Sequence, residues 1–179
     1  MLATRGTRMF HRVDAFEHRL CRRLNRGVHS PALRELFCVA SRLGDGIAWY
    51  LLMLIIPVWY EQAGLKCALQ MAIVGLVGVG LYTLLKRRLV RERPYIRFDG
   101  ILAGTVPLDR YSFPSGHTLH AVSFTVIAIA HFPELATVLV PFALLVAVSR
   151  VVLGLHYPTD VAAGAALGAT LAILGLAFI

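Results

Sequence analysis

Charge is scarce in this 179-residue chain: Asp, Glu, Lys and Arg together make up 16% of it, against about 25% in a soluble globular domain. Acidic residues are the scarcest, ten in all against 18 Lys and Arg. A chain this poor in charge and 58% apolar is neither a disordered polypeptide nor an ordinary water-soluble globule. Cysteine is sparse as well. Cys21, Cys38 and Cys67 have no spacing that suits a metal centre or a disulfide framework, and they read as small buried or interfacial apolar residues. There is no internal repeat, low-complexity tract or linker. The N-terminal stretch has neither the uncharged apolar segment nor the small-residue cleavage site of a secretory signal.

What the chain has instead is long uncharged runs. Residues 46–60, 67–85, 118–132, 135–149 and 161–179 can each serve as a membrane span. The first carries Trp49-Tyr50 and Trp59-Tyr60 at its two ends, as an interfacial aromatic belt requires. The run 135–149 covers only about 22 Å at a rise of 1.5 Å per residue, against a hydrocarbon core of about 30 Å. The apolar stretch 151–155 supplies the remainder.

Ahead of these runs, residues 1–30 hold seven arginines, with Phe10, Val13, Phe16, Leu20 and Leu24 recurring at helical spacing between them. That pattern predicts a basic amphipathic helix lying in the headgroup layer. Ser30-Pro31 reads as an N-cap followed by proline at the first helical position. The helix it opens carries Arg34, Glu35 and Arg42, and each charge costs about 2.5–3.5 kcal/mol near the bilayer centre, so it should not span. The expectation is an all-α, multi-pass transmembrane helical bundle of about five spans, six if the helix at 31–43 also inserts. Residues 1–45 form its N-terminal amphipathic, interfacial helices and residues 46–179 its membrane core.

With five spans, the N-terminus, the loop 86–117 and the stretch 150–160 share one side. Seventeen of the 18 basic residues fall there, leaving Lys66 alone on the other. Setting aside three cations reserved for chemistry leaves the same imbalance, which predicts that this side is cytoplasmic in a cell (inner) membrane. Insertion of 31–43 would reverse the assignment. The net charge of +8 therefore speaks to orientation and not to nucleic acid.

Three clusters lie at span ends on that side: Lys86 with Arg93-Pro94, then Pro114-Ser115-Gly116-His117, then Ser149-Arg150 with His156 and Asp160. Taken alone, the run from Lys86 to Arg93 reads as a topology signal, and the Pro-Ser-Gly-His stretch as a helix start. Arg150 is harder to dismiss, since it follows fifteen uncharged residues and needs a partner near the membrane. His156 and Asp160 flank Pro158 and so lie across a turn, where a structural bond and a functional one are equally open. Together the clusters suit phosphoryl transfer without a metal. Lys86, Arg93 and Arg150 can neutralise phosphate oxygens, and backbone N–H groups of Ser115 and Gly116 at a helix start can point at an anion. One histidine held by a carboxylate can act as nucleophile, as His156 and Asp160 allow, and His117 can protonate the departing oxygen.

Read in order, Lys-x6-Arg-Pro, Pro-Ser-Gly-His and Ser-Arg-x5-His-x3-Asp closely resemble the signature of the type 2 phosphatidic acid phosphatase (PAP2) superfamily over about residues 67–179. That superfamily includes lipid phosphate phosphatases, some acid phosphatases and vanadium haloperoxidases. The resemblance implies a small integral-membrane phosphatase that needs no metal or other cofactor and works through a phosphohistidine. His156 would attack phosphorus, Asp160 orient it, and His117 protonate the leaving group and later activate water. Lys86, Arg93, Ser115, Gly116 and Arg150 would hold the phosphate. Integral bacterial members usually have six spans and a site outside the cytoplasm, so the five spans and inward site read here depart from that pattern.

The implied substrate is a membrane-borne lipid phosphate monoester or diphosphate, of the phosphatidylglycerol phosphate, phosphatidate or polyprenyl (di)phosphate class. An inward site would favour a lipid made in the cytoplasm. Two other readings stay open: a phosphotransferase with a polyprenyl diphosphate donor, and a non-catalytic phospholipid-binding protein. The intact histidine pair and Asp160 argue against the latter, since binding alone needs only the cations. A haloperoxidase is excluded by the short, apolar chain. Neither oligomeric state nor a protein partner can be read from the residues. His120 and His131 read as packed or interfacial, Tyr111 and Tyr157 as site-flanking or belt residues, and Asp99, Asp109 and Arg110 as candidates for head-group selection.

Overall fold

In the computed structural model, residues 16–107 and 109–178 are described, and their regular structure is helical apart from one isolated bridge between Glu92 and Tyr111. Helix α1 covers 16–25. It is followed by α2 (Pro31–Arg42), α3 (Ala48–Arg88), the short α4 (Pro94–Arg97), α5 (Gly116–His131), α6 (Ala136–Val152) and α7 (Pro158–Phe178). Ser30 is the N-cap of α2 and Pro31 its first residue, as expected, although the serine side chain makes no capping bond.

A straight α3 of 41 residues would be about 60 Å long, twice the thickness of a hydrocarbon core. It is not straight. Glu61 has φ 47° and ψ −123°, and a Cβ placed on Gly64 would lie 2.4 Å from the carbonyl oxygen of Ile56. In an unbroken helix those two residues would be about 12 Å apart. The limbs 48–60 and 62–88 therefore run back alongside each other, the hairpin expected of the runs 46–60 and 67–85. Among the described residues, Pro31–Arg88, Pro133–Val152 and Pro158–Phe178 are stretches long and apolar enough to cross a membrane. Large apolar side chains such as Leu54, Val58, Trp59, Leu76 and Ile173 are exposed on the outside, a surface suited to lipid and not to water.

The core between the helices centres on Trp49, Met71, Phe124, Ile127 and Val146. Trp49 meets the rings of Phe124 and Phe142 at 5.5 and 5.3 Å. Helices α5 and α7 approach most closely, because Gly164 and Gly168 lie one turn apart on the facing side of α7. A Cβ at these positions would fall 2.5 Å from the Ser115 carbonyl oxygen and 2.3 Å from that of Leu119. Small residues four apart are how apolar helices bring their backbones together in a membrane.

At the opposite end from Glu61, the loops gather. Asn25 is buried and clamps two of them, donating to the carbonyls of Leu102 and Val152 (both 2.9 Å) and accepting from Leu102 N–H (2.8 Å). Helix α2 packs there too, with Cys38 against Leu153 and Leu155. The side of α1 that faces the protein carries Glu17, Cys21 and Asn25, whereas Phe16 and Leu24 of the predicted apolar stripe are exposed. Phe10, Val13 and the arginines at 5, 8 and 12 lie outside the described residues.

Candidate active site

Lys86 sits in the last turn of α3, and the chain leaves the helix at Leu89. Residues 90–93 are not helical and alternate in burial: Arg91 and Arg93 turn inward while Val90 and Glu92 turn out, as in an extended segment. Arg87 and Arg88, still on the helix, are exposed. Arg93 is held on every side. Its Nε donates to the Asp109 carbonyl (2.8 Å), Nη2 to Asp109 Oδ1 (2.9 Å) and Nη1 to the Leu155 carbonyl (2.9 Å). Nη1 also lies 3.3 Å from His156 Nε2. The other oxygen of Asp109 accepts from Lys86 Nζ at 2.5 Å. Burial works against the Asp109 charge, but Lys86 and Arg93 outweigh it and hold the carboxyl below its usual range.

His156 is carried on the loop between α6 and α7. The N–H groups of Leu155 and His156 both donate to the Arg150 carbonyl, at 3.1 and 3.0 Å. Gly154 turns the chain with φ 71°, in a place where a Cβ would come within 2.6 Å of the Leu102 carbonyl oxygen. Only glycine adopts that backbone without strain. The ring of His156 is buried. Its burial, and then the charges of Arg93, Arg150 and Lys86, push its pKa well below the ordinary imidazole value, so the neutral ring is the resting form.

Asp160 lies in the first turn of α7, with Oδ2 3.6 Å from His156 Nδ1. That is close, but longer than a hydrogen bond. Its oxygens are instead engaged by Arg91 Nη1 (2.5 Å) and by the Tyr157 N–H (2.8 Å). Arg91 reaches on to Glu17 Oε2 (2.6 Å) and lies 3.7 Å over the Tyr157 ring. Glu17 Oε1 accepts the first-turn N–H of Thr159 (2.7 Å). Glu17, Arg91, Tyr157 and Asp160 are all buried. A carboxylate from the first helix thus caps the helix that carries Asp160.

Ser115 is the N-cap of α5, accepting from Thr118 N–H, and its own N–H donates to the Asp160 carbonyl at 3.1 Å. That N–H, expected to face an anion, is therefore already used. Gly116 and His117 follow in the first turn, where backbone N–H groups have no acceptor within the helix. His117 Nε2 lies 3.2 Å from Asp45 Oδ1. Arg150 is buried and donates from Nη1 to Ser41 Oγ.

One cavity of about 790 Å³ is lined by Lys86, Arg93, Gly116, His117, Arg150 and His156 at one end. It continues between the two limbs of α3 along Trp49, Met53, Met71 and Leu76. Ser115 and Asp160 stand behind its wall. Tyr111, His120 and Asp109 line it as well; His120 Nε2 lies 3.3 Å from the Gly75 carbonyl oxygen. His131 is remote, 2.6 Å from Gln70 Oε1. Arg110 is exposed, 4.0 Å from Glu92.

Sequence reasoning missed Glu17, Asp45 and Arg91. Arg91 is indistinguishable in the sequence from its exposed neighbours, and only the extended path after Leu89 turns it inward. Asp45 carried one weak signal, a lone acid between two glycines just before an apolar run.

A family model described as the PAP2 superfamily matches residues 63–179. A lipid A 1-phosphatase from Rhizobium etli is 29% identical over 163 residues, 80% of this chain and 70% of that protein. A decaprenylphosphoryl-5-phosphoribose phosphatase from Mycobacterium tuberculosis is 41% identical over 98 residues, covering 52% of this chain and 51% of its own length. In three dimensions the chain is similar to a transmembrane PAP2-type phosphatidylglycerolphosphate phosphatase from Bacillus subtilis. That match has a TM-score of 0.77 and 28% identity and covers 97% and 90% of the two chains. It is also similar to Aquifex aeolicus LpxE, with a TM-score of 0.73, 25% identity and coverage of 89% and 94%.

Proposed function

The chain belongs to the PAP2 superfamily, as a membrane-embedded lipid phosphatase, and from that membership we propose that it hydrolyses a lipid phosphate through a phosphohistidine at His156. One observation carries the reading. The imidazole of His156 lies beside Arg93 in a cavity lined by Lys86 and Arg150, and the same cavity runs on as an apolar groove between the limbs of α3. A phosphate would sit among the cations while its lipid tail lies in the groove.

The chemistry follows from the placement of each group. Lys86, Arg93 and Arg150 offset the phosphate charge at fixed points, and the N–H groups at the start of α5 add donors with the helix dipole behind them. His156, neutral at rest, attacks phosphorus with Nε2. The P–O bond to the lipid breaks, and His117 gives its proton to the departing oxygen. In the empty site burial and the neighbouring cations disfavour a charge on His117, but it is protonated once the phosphate dianion offsets those cations, with Asp45 3.2 Å away. Water then attacks the phosphohistidine, His117 takes the proton back, and inorganic phosphate leaves. Asp160 stabilises the positive ring as it forms, and Arg91 with Glu17 fixes Asp160. The substrates named for the relatives, lipid A, phosphatidylglycerol phosphate and a decaprenyl phosphoribose, are phosphate esters on a lipid, and this chain's substrate belongs to that class. The five-span reading of the sequence puts seventeen of 18 basic residues on the side of the site, which supports a site facing the cytoplasm of an inner membrane.

Phosphate release by detergent-purified protein in excess EDTA tests the proposal. The panel holds phosphatidylglycerol phosphate, phosphatidate, undecaprenyl diphosphate, lipid A and a soluble aryl phosphate. Release from at least one lipid, lost in His156→Ala, is the expected result. Undiminished release by His156→Ala would end the proposal.

A further inference from the structure

We propose that Asp45 makes the site selective for phosphate monoesters over diphosphates, a refinement that rests on the phosphatase reading above. A local irregularity puts this carboxylate in the cavity. Helix α2 does not pass smoothly into α3: the chain kinks within Leu43–Ile47, where Gly46 has φ 137° and ψ −38°. Gly44 packs where a Cβ would fall 2.7 Å from both methyl groups of Val146, and Gly46 adopts backbone that favours glycine. Between them Asp45 lines the cavity, its carboxylate 3.2 Å from His117 Nε2 and half-exposed to the space beside it.

Asp45 stands on the leaving group's side. In-line attack by His156 expels the ester oxygen away from His156 and toward His117, the proton donor. Whatever is bonded to that oxygen therefore meets Asp45. In a monoester this is a neutral carbon chain, and any hydroxyl on it can donate to the carboxylate. In a diphosphate it is a second phosphoryl group that carries negative charge at neutral pH. Arg150 is the cation whose charge acts on Asp45, but it is also committed to the phosphoryl group being transferred, so a second phosphoryl group beside Asp45 is left under-compensated. Lys86 and Arg93 are already joined through Asp109, and with Arg150 they face the phosphoryl group being transferred. Two like charges about 4 Å apart in a partly exposed cleft disfavour each other by roughly tenfold or more. The residue thus acts both ways, accepting from one class of substrate and repelling the other.

The test compares substrate pairs that differ only in phosphate number. These are phosphatidate with diacylglycerol diphosphate on the same acyl chains, and undecaprenyl phosphate with undecaprenyl diphosphate. For each pair, kcat/KM is measured with the wild type and with Asp45→Asn, which keeps an oxygen near His117 and removes the charge. The wild type should favour the monoester, and Asp45→Asn should lower that preference about tenfold by raising turnover of the diphosphate. A damaged fold cannot produce such a rise. An unchanged ratio, or an equal fall on both members of a pair, overturns the proposal and leaves Asp45 as a partner of His117 alone. A wild type silent on both pairs and on the EDTA panel counts instead against the phosphatase reading itself.

Discussion

Gly168→Ala adds one methyl group at the contact between α5 and α7, and its cost can be worked out from the geometry. The new Cβ would lie 2.3 Å from the Leu119 carbonyl oxygen, 3.1 Å from its carbon and 3.2 Å from the Leu119 Cα. All three are backbone atoms, so no side chain can rotate away. Carbon–oxygen contacts settle at about 3.3 Å or more, so the helices must part locally by about 1 Å. Overpacking of this kind costs about 1–3 kcal/mol, but alanine recovers about 1 kcal/mol in helix propensity over glycine. The unfolding temperature should therefore fall only slightly. Activity should suffer far more. Leu119 is two residues from His117, and Gly168 is on the helix that carries Asp160, so a shift of about 1 Å separates the acid from the nucleophile and lowers kcat about a hundredfold. The assay is kcat on a lipid phosphate beside thermal unfolding in the same detergent. Gly80→Ala, where a Cβ meets nothing within 4 Å, is the control and should keep wild-type kcat. Wild-type kcat in Gly168→Ala would refute the close-approach argument.

Arg91→Leu leaves Glu17 and Asp160 buried without the cation they share, and a loss of about 3–5 kcal/mol in unfolding free energy is expected; a loss below about 1 kcal/mol in a denaturant titration would contradict the network described. The acidic limb of kcat/KM should lie below pH 6.5, because His156 must be neutral to attack and its pKa is depressed. Activity is then lost only as pH falls through that lowered value. Lys86→Met, by removing one depressing charge, should move the limb upward in a pH–rate profile corrected for ionisation of the substrate. Asp109→Asn frees Lys86 and Arg93 from a carboxylate that occupies them in the substrate-free site. Inorganic phosphate should then inhibit several-fold more tightly, measured as a competitive inhibition constant.

Much of this architecture was legible because a bilayer imposes simple rules. Uncharged runs have to be helices, and the charges that bound gaps of fifteen or more residues mark their ends, so the hairpin across Glu61 could be expected. The gathering of Lys86, Arg93, His117, Arg150 and His156 at one cavity followed from their positions at span ends on one side. What could not be read depends on chain direction outside the spans. The arginines at 87, 88 and 91 look alike until an extended segment buries one and the helix exposes two. The apolar stripe of α1 suggested only a headgroup helix, while its polar residues Glu17 and Asn25 make the contacts that fix the loops of the site. The 3.6 Å separation of His156 from Asp160 is equally invisible in the spacing, because it depends on Arg91 drawing the carboxylate toward itself.

The most direct test of the central claim is to trap the covalent intermediate. Protein mixed with a lipid phosphate labelled on phosphorus is quenched within one turnover in alkali, digested, and the labelled peptide sequenced. The account predicts an acid-labile, alkali-stable phosphate on His156 that is absent from His156→Ala and accumulates when His117→Ala slows its hydrolysis. Label on another residue, or rapid turnover with no protein-bound phosphate, would contradict it.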